Sequence, residues 1–168
     1  MRVSARVVLL DDDGAVLLLQ GSDPAITDGT AARWWFTVGG RARSGEPLAH
    51  TAVRELAEET GLLVDPTSML GPVWKRNAEI HFNGAAMSSR EFFFLHRTRR
   101  FEPVAAGRTP LERRYIHAHR WCEATVLTQL VDAGETVYPH QLAELLADAN
   151  LLVGGGAAEL PSEPRPIS

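Results

Sequence analysis

The sequence predicts an α+β or mixed α/β sandwich. Three observations carry this. Short runs rich in Val, Leu, Phe and Trp recur between turn signals, as strands do. One long stretch and two later ones place apolar residues at helical spacing. The chain has 168 residues and no internal repeat, a length suited to one domain with a full core. That domain is expected over residues 1–153, with 154–168 as a mobile Gly- and Pro-rich tail.

In chain order, Arg2 to Leu10 is a β-rich run of Val and Leu. DDDG marks a turn and VLLLQ resumes as a strand, which suggests a hairpin. Residues 21–33 are small, polar and turn-rich and read as a long loop of the kind that carries function. WWFTV at 34–38 is a strand stopped by Gly39 and Gly40. Pro47 suits a first helical turn, and Leu48, Ala49, Ala52, Val53, Leu56 and Ala57 form the apolar stripe of a helix over 47–60, with Gly61 as its left-handed stop. Strands are expected at 69–75, 78–82, 91–97 and 116–122, with a basic loop between the last two. ATVLTQLVDAG and PHQLAELLADANLL read as two helices, the second starting near Pro139.

The formal net charge of −4 gives no basic field for nucleic acid or an anionic membrane surface. No segment approaches the ~18 apolar residues of a membrane span. The first residues reach Asp11, Asp12 and Asp13 without a cleavage pattern, so no signal peptide is expected. The single cysteine, Cys122, allows no internal disulfide and fits a reducing, cytoplasmic setting. It reads as a small half-buried hydrophobe.

RELAEE, residues 54–59, is the anomaly. Each helical residue turns about 100°, so Glu55, Glu58 and Glu59 fall within an arc of roughly 100° beside the apolar stripe. Like charges at these spacings cost a few tenths of a kcal/mol per pair. Carboxylates in a last turn also oppose the helix dipole, at about 0.3–1 kcal/mol each. Local rules broken this often are expected where function compensates. A hard divalent cation would compensate, since Mg²⁺ takes carboxylate oxygens together with substrate phosphates. Arg54, four residues before Glu58, can orient a carboxylate.

The wider spacing is specific. Gly40 is followed after five residues by Glu46, after seven more by Arg54-Glu55-Leu56, then by Glu58-Glu59 and Gly61-Leu62. This resembles the Nudix box at each of its nine defining positions across 23 residues. The resemblance implies a Nudix-type α/β/α sandwich and Mg²⁺-dependent hydrolysis of a nucleoside diphosphate linked to another moiety, with Mn²⁺ as a substitute metal. By the same resemblance, Glu58 and Glu59 ligate metal, and Glu55 ligates metal or serves as general base. Glu46 holds the loop and can reach metal through water. Arg54 braces the carboxylates, and a carbonyl at Gly39 or Gly40 completes the coordination. The family often adds an acidic residue from a later loop. Glu112 in TPLERRY is the first candidate, and Glu102 and Glu123 are alternatives. Glu112 also stands three residues after Thr109, the spacing of a capping box.

Trp34 and Trp35 point to opposite faces of their strand, so one belongs to the core and the other can stack on a base. Arg41 and Arg43, inside the box loop, are candidates for phosphate contact. Arg97, Arg99 and Arg100 read rather as a solvated loop. His117 and His119 share a strand face but lack a third soft ligand for a transition metal, which favours structural roles. Ala78 stands where ADP-ribose hydrolases of the family carry proline, and Glu79 and Ile80 stand near where diadenosine-polyphosphate hydrolases carry tyrosine. A nucleoside triphosphate, normal or oxidised, is the substrate left by elimination, and a nucleoside diphosphate sugar is an alternative. A non-catalytic nucleotide sensor need not keep Arg54, Glu55, Glu58 and Glu59 together. Isomerase chemistry on an isoprenoid diphosphate would need a catalytic cysteine, and Cys122 lies late on a presumed strand. No DNA-binding element is present in the pattern. Family members are often homodimers, but no segment marks an interface.

Overall fold

A computed structural model describes residues 1–155 and 160–168. The strands are β1 Arg2–Leu10, β2 Val16–Ser22, β3 Arg33–Arg41, β4 Leu70–Phe82, β5 Ala85–Arg97, β6 Ile116–Cys122, β7 Thr136–Tyr138 and β8 Arg165–Pro166. The helices are α1 Leu48–Thr60, α2 Pro110–Tyr115, α3 Ala124–Asp132 and α4 Leu142–Val153, with one 3₁₀ turn at Pro66–Ser68. Among the described residues the strands join one sheet in the order β6-β2-β3-β1-β5-β4-β8, and β7 adds beside β3. The sheet is mixed: β1 runs parallel to β5, β3 to β7 and β4 to β8, and the remaining pairs are antiparallel.

The run of apolar residues in β1 has a simple cause. Val8 and Leu10 point to one face, where α3 and α4 bring Leu127, Leu130, Leu142, Leu145 and Leu146. Ala5, Val7 and Leu9 point to the other face, where α1 brings Ala52 and Leu56. A strand covered on both faces needs no polar alternation. The sandwich is therefore helix, mixed sheet, helix, as expected from the sequence.

Several elements differ from expectation. β1 and β2 are not a regular hairpin. They pair only at Leu10 and Val16, and β1 sits centrally between β3 and β5. Residues 69–75 and 78–82 are not two strands but parts of the single long β4, with one irregularity between Leu70 and Trp74. β4 turns into β5 through Asn83-Gly84, both at positive φ (52° and 78°), the conformation that an Asn-Gly hairpin turn requires. That dipeptide was a legible signal for a strand reaching back to Ala85. Pro47 caps α1 rather than opening it, and α4 starts at Leu142, not near Pro139.

The end of the chain also departs from a mobile tail. β8 pairs with β4, Ile167 N–H donates to the Lys75 carbonyl at 2.9 Å, and Ser168 N–H donates to Gln141 Oε1 at 2.8 Å. Ile167 packs against the α3–α4 core, and that apolar contact holds the segment on the sheet edge. Residues 156–159 of the expected tail lie outside the described residues.

Candidate active site

The site is built where β3 ends and α1 lies across it. A Cβ on Gly40 would stand 2.7 Å from the Glu55 carboxyl carbon. A Cβ on Gly39 would meet the Ala5 carbonyl oxygen at 2.2 Å. Bare backbone at this pair lets α1 press its carboxylates against the strand. Gly39 N–H donates to Glu59 Oε1 at 2.7 Å, and its carbonyl accepts from Arg6 Nη1 at 3.1 Å.

Arg54 is the hub of the charged face. It donates Nε to Glu46 Oε2 (2.9 Å), Nη2 to Glu46 Oε1 (2.8 Å), Nη1 to Glu55 Oε1 (2.8 Å) and to Glu58 Oε1 (3.4 Å), and Nη2 to the Arg41 carbonyl (3.0 Å). Glu46 also accepts from Thr51 Oγ1 and Arg43 N–H. The Arg54 hydrogen bonds hold the Glu46 carboxyl down at about 2. Glu46 is thereby a fixed anchor that closes the 41–47 loop onto α1.

Three carboxylates converge. Oxygens of Glu55, Glu58 and Glu112 all lie within 4.8 Å of one another. Glu112 arrives from α2, where Thr109 and Glu112 form a complete capping box: Thr109 N–H donates to Glu112 Oε1 at 2.8 Å and Glu112 N–H to Thr109 Oγ1 at 3.2 Å. The capping and metal readings of Glu112 thus coexist, since the cap fixes where its carboxylate stands. Burial raises the Glu55 carboxyl, the Arg54 contacts lower it, and the like charges of Glu58 and Glu112 add to the rise, which prevails.

Glu59 stands apart from that cluster. It is fully buried, and its Oε2 has no hydrogen-bond partner among the described residues. Burial, followed by the nearby Glu55 charge, pushes its carboxyl well above the ordinary range. On the helix Glu59 is turned about 40° from Glu55 toward Ala52, and Glu58 about 60° the other way. The two adjacent glutamates therefore face the sheet and the pocket respectively. An orphaned buried carboxylate oxygen next to three converging carboxylates is costly unless a cation or proton meets it. The donor set is all oxygen, which fits a hard divalent cation such as Mg²⁺.

The cluster opens into a cavity of about 870 Å³. Trp34, Phe36, Phe82 and Tyr115 form an aromatic wall, with Phe82 edge-on to Tyr115 at 5.0 Å. Opposite lies a charged chain across β1, β5 and β4: Arg6 reaches Glu91 Oε1 at 3.1 Å, and Arg76 reaches Glu91 Oε2 at 2.7 Å. Burial alone would raise the Glu91 carboxyl, but Arg6 and Arg76 outweigh it and hold it below its ordinary value.

A family model described as the NUDIX domain matches residues 1–143. This chain belongs to the Nudix family of pyrophosphohydrolases. Solved structures share its fold. A MutT protein from Methanosarcina mazei superposes with a TM-score of 0.62 at 18% identity, covering 89% of this chain and 92% of that one. The E. coli dihydroneopterin triphosphate pyrophosphohydrolase gives 0.59 at 20% identity, covering 87% and 92%. A C. elegans Ap4A hydrolase gives 0.54 at 16% identity, covering 90% and 98%. No curated protein matches the chain.

Within this Nudix site the structure sorts the expected residues. Glu55, Glu58, Gly40, Arg54, Arg41, Arg43, Trp34 and Glu112 line the cavity. Trp35 does not. Its ring is in the α3–α4 core and its Nε1 donates to Glu135 at 3.0 Å, so the strand's alternation removes it from substrate contact. Glu46 and Glu59 are outside the three-carboxylate cluster, the first engaged by Arg54 and the second beneath it. Arg97 and Arg100 bind Asp11 and Asn150 instead of the cavity. His117 meets Ser22 and His119 meets Glu102, which are structural contacts. Sequence reasoning missed Arg6, Glu91, Arg76, Tyr115 and Tyr138. Charged residues in a strand read as a solvent face, and only the pairing of β1, β5 and β4 turns these inward. Among the described residues no helix is long and apolar enough to cross a membrane.

Proposed function

We propose that this chain hydrolyses a pyrophosphate bond in a nucleoside diphosphate linked to another moiety, a nucleoside triphosphate, normal or oxidised, being the default substrate. The observation that carries this reading is the convergence of Glu55, Glu58 and Glu112 at the floor of a large cavity, braced by Arg54. These three would hold Mg²⁺, with the orphaned oxygen of Glu59 as a further donor. When bound, the ion supplies positive charge against the pyrophosphate and acts as a Lewis acid.

The chain's own residues do the rest. A water oxygen bonds to phosphorus, the bridging P–O bond breaks, and the leaving phosphate takes the electron pair. Glu55, through the carboxylate oxygen that Arg54 leaves free, is the acceptor for the water's proton in this reading. Arg54 prevents Glu55 and Glu58 from turning away under mutual repulsion. Arg41 and Arg43 stand at the cavity mouth to meet phosphate oxygens. Trp34 offers a flat aromatic face to the substrate. The reading places the reaction in the cytoplasm, where nucleotides and Mg²⁺ are both abundant.

The test is a panel of nucleoside triphosphates and nucleoside diphosphate sugars, with Mg²⁺ and with chelator, products identified, beside Glu58→Gln. Metal-dependent cleavage in the wild type, lost in a folded Glu58→Gln protein, is expected. Nucleotide binding without any cleavage would replace the hydrolase by a sensor.

A further inference from the structure

Arg76 presents an unused hydrogen-bonding edge to the pocket. Its Nε and Nη2 both reach Glu91 Oε2, at 2.8 and 2.7 Å. That occupies one side of the guanidinium fork. The end formed by Nη1 and the second Nη2 hydrogen has no partner among the described residues, and Arg76 lines the cavity with its side chain 10% exposed. Glu91 has no oxygen to spare, since Oε1 is taken by Arg6. The guanidinium also lies over the Tyr138 ring, 5.4 Å from its centroid, and Tyr138 meets His140 at 5.0 Å. Carboxylate and ring together hold the fork rigidly, so little freedom remains to be lost on binding.

Its place in the sheet matters. Gly39 and Gly40 are on β3, and β1, β5 and β4 follow in order. Three strand spacings put Arg76 about 14 Å from the carboxylate end, the reach of one extended nucleotide. With the pyrophosphate at Glu55, Glu58 and Glu112, the base end of the substrate falls at Arg76 and Tyr138.

We propose that this end of the pocket reads the base, and that Arg76 selects guanine through two parallel hydrogen bonds. The proposal rests on the nucleotide reading above. Guanine carries two adjacent acceptors, O6 and N7, on one edge, whereas adenine places a donor beside its N7. A fork of two donors accepts the first pattern and clashes with the second. Arg76 shares the single Glu91 carboxylate with Arg6, and its guanidinium lies over the Tyr138 ring, so a base bonded edge-on to the fork lies in the fork's plane. A rigid planar fork held over an aromatic ring suits the edge of a planar base, and an anion drawn by the shared charge is the competing occupant that the pyrophosphate measurement below separates.

The experiment is equilibrium binding of GMP and AMP to the full chain, with and without Mg²⁺, by calorimetry. No turnover is needed, so its failure and that of the hydrolase reading are separable. The wild type is expected to prefer GMP by roughly tenfold to a hundredfold. Arg76→Lys keeps the charge but loses the fork, and should bring the two nucleotides to near parity. Should that variant fail to fold, Arg76→Gln takes its place, and should both fail, the wild-type comparison decides alone. Equal or tighter AMP binding, or a GMP preference unchanged in a folded Arg76 variant, overturns the proposal. So does tighter binding of inorganic pyrophosphate that depends on Arg76, which would make this end an anion site.

Discussion

Glu59 shows what a single residue can store. Its carboxyl is buried, raised above its ordinary range, and half unsatisfied. Glu59→Gln keeps an oxygen for the Gly39 N–H and replaces the orphan acceptor by a donor group. Without metal, that removes one ionisable group from an apolar setting. Glu59→Gln is therefore expected to melt higher than wild type in chelator by a few degrees, about 1–2 kcal/mol. The order should reverse in Mg²⁺, because the wild type gains stability by binding and the variant gains less. Thermal melts across a Mg²⁺ titration check both signs. A variant that melts lower in chelator would show that the Glu59 charge is already satisfied. At this scale the sequence was legible in kind: the box spacing named every glutamate on α1. It could not separate Glu58 from Glu59, because that depends on which side of Glu55 the sheet lies.

Among elements, α2 is the one that short-range signals almost named. It has only six residues, and it holds Glu112 through its cap. Thr109→Ala removes the hydroxyl that accepts the Glu112 N–H. The expected loss is about 0.5–2 kcal/mol of stability. Mg²⁺ affinity should fall with it, since Glu112 is no longer fixed opposite Glu55 and Glu58. Calorimetric Mg²⁺ titration beside a melt tests the link, and an unchanged Mg²⁺ affinity would detach Glu112 from the metal. α1, α3 and β6 were readable because their signals are local: apolar residues at helical spacing, with the Gly61 stop for α1, and a β-rich run. β7 and β8 were not, because strands of three and two residues exist only through their partners β3 and β4. β4 was split in two at Arg76 and Asn77, and β5 was cut short because its outer half, Ala85–Arg90, is small and polar.

For the whole molecule, the Arg6–Glu91–Arg76 chain ties three strands together beneath the cavity. Glu91 has a depressed carboxyl, so its contribution to stability is complete above the ordinary value of 4.5 and fades as pH falls through the lower folded value. Glu91→Gln leaves two guanidinium groups short of a counter-charge and should cost about 3–5 kcal/mol at neutral pH. The difference between wild type and variant should hold from pH 7 to pH 5 and shrink below pH 4.5. Paired melts across that range measure it, and a difference that grows toward acid would contradict the sign. The sandwich itself was legible, because α1, α3 and α4 each carry one apolar stripe and β1 is apolar on both faces. The inward charges were not, because pattern rules assign strand arginines to solvent.

Arg2 and Ser168 both border the same cavity. The start of β1 and the residues after β8 thus flank the space that the substrate fills. A purification handle or fusion partner attached beside Arg2 or Ser168 would grow out of that space and compete with the nucleotide for it. Kinetic constants from tagged protein would then describe the handle as much as the enzyme, and an internal surface loop is the better place for a label.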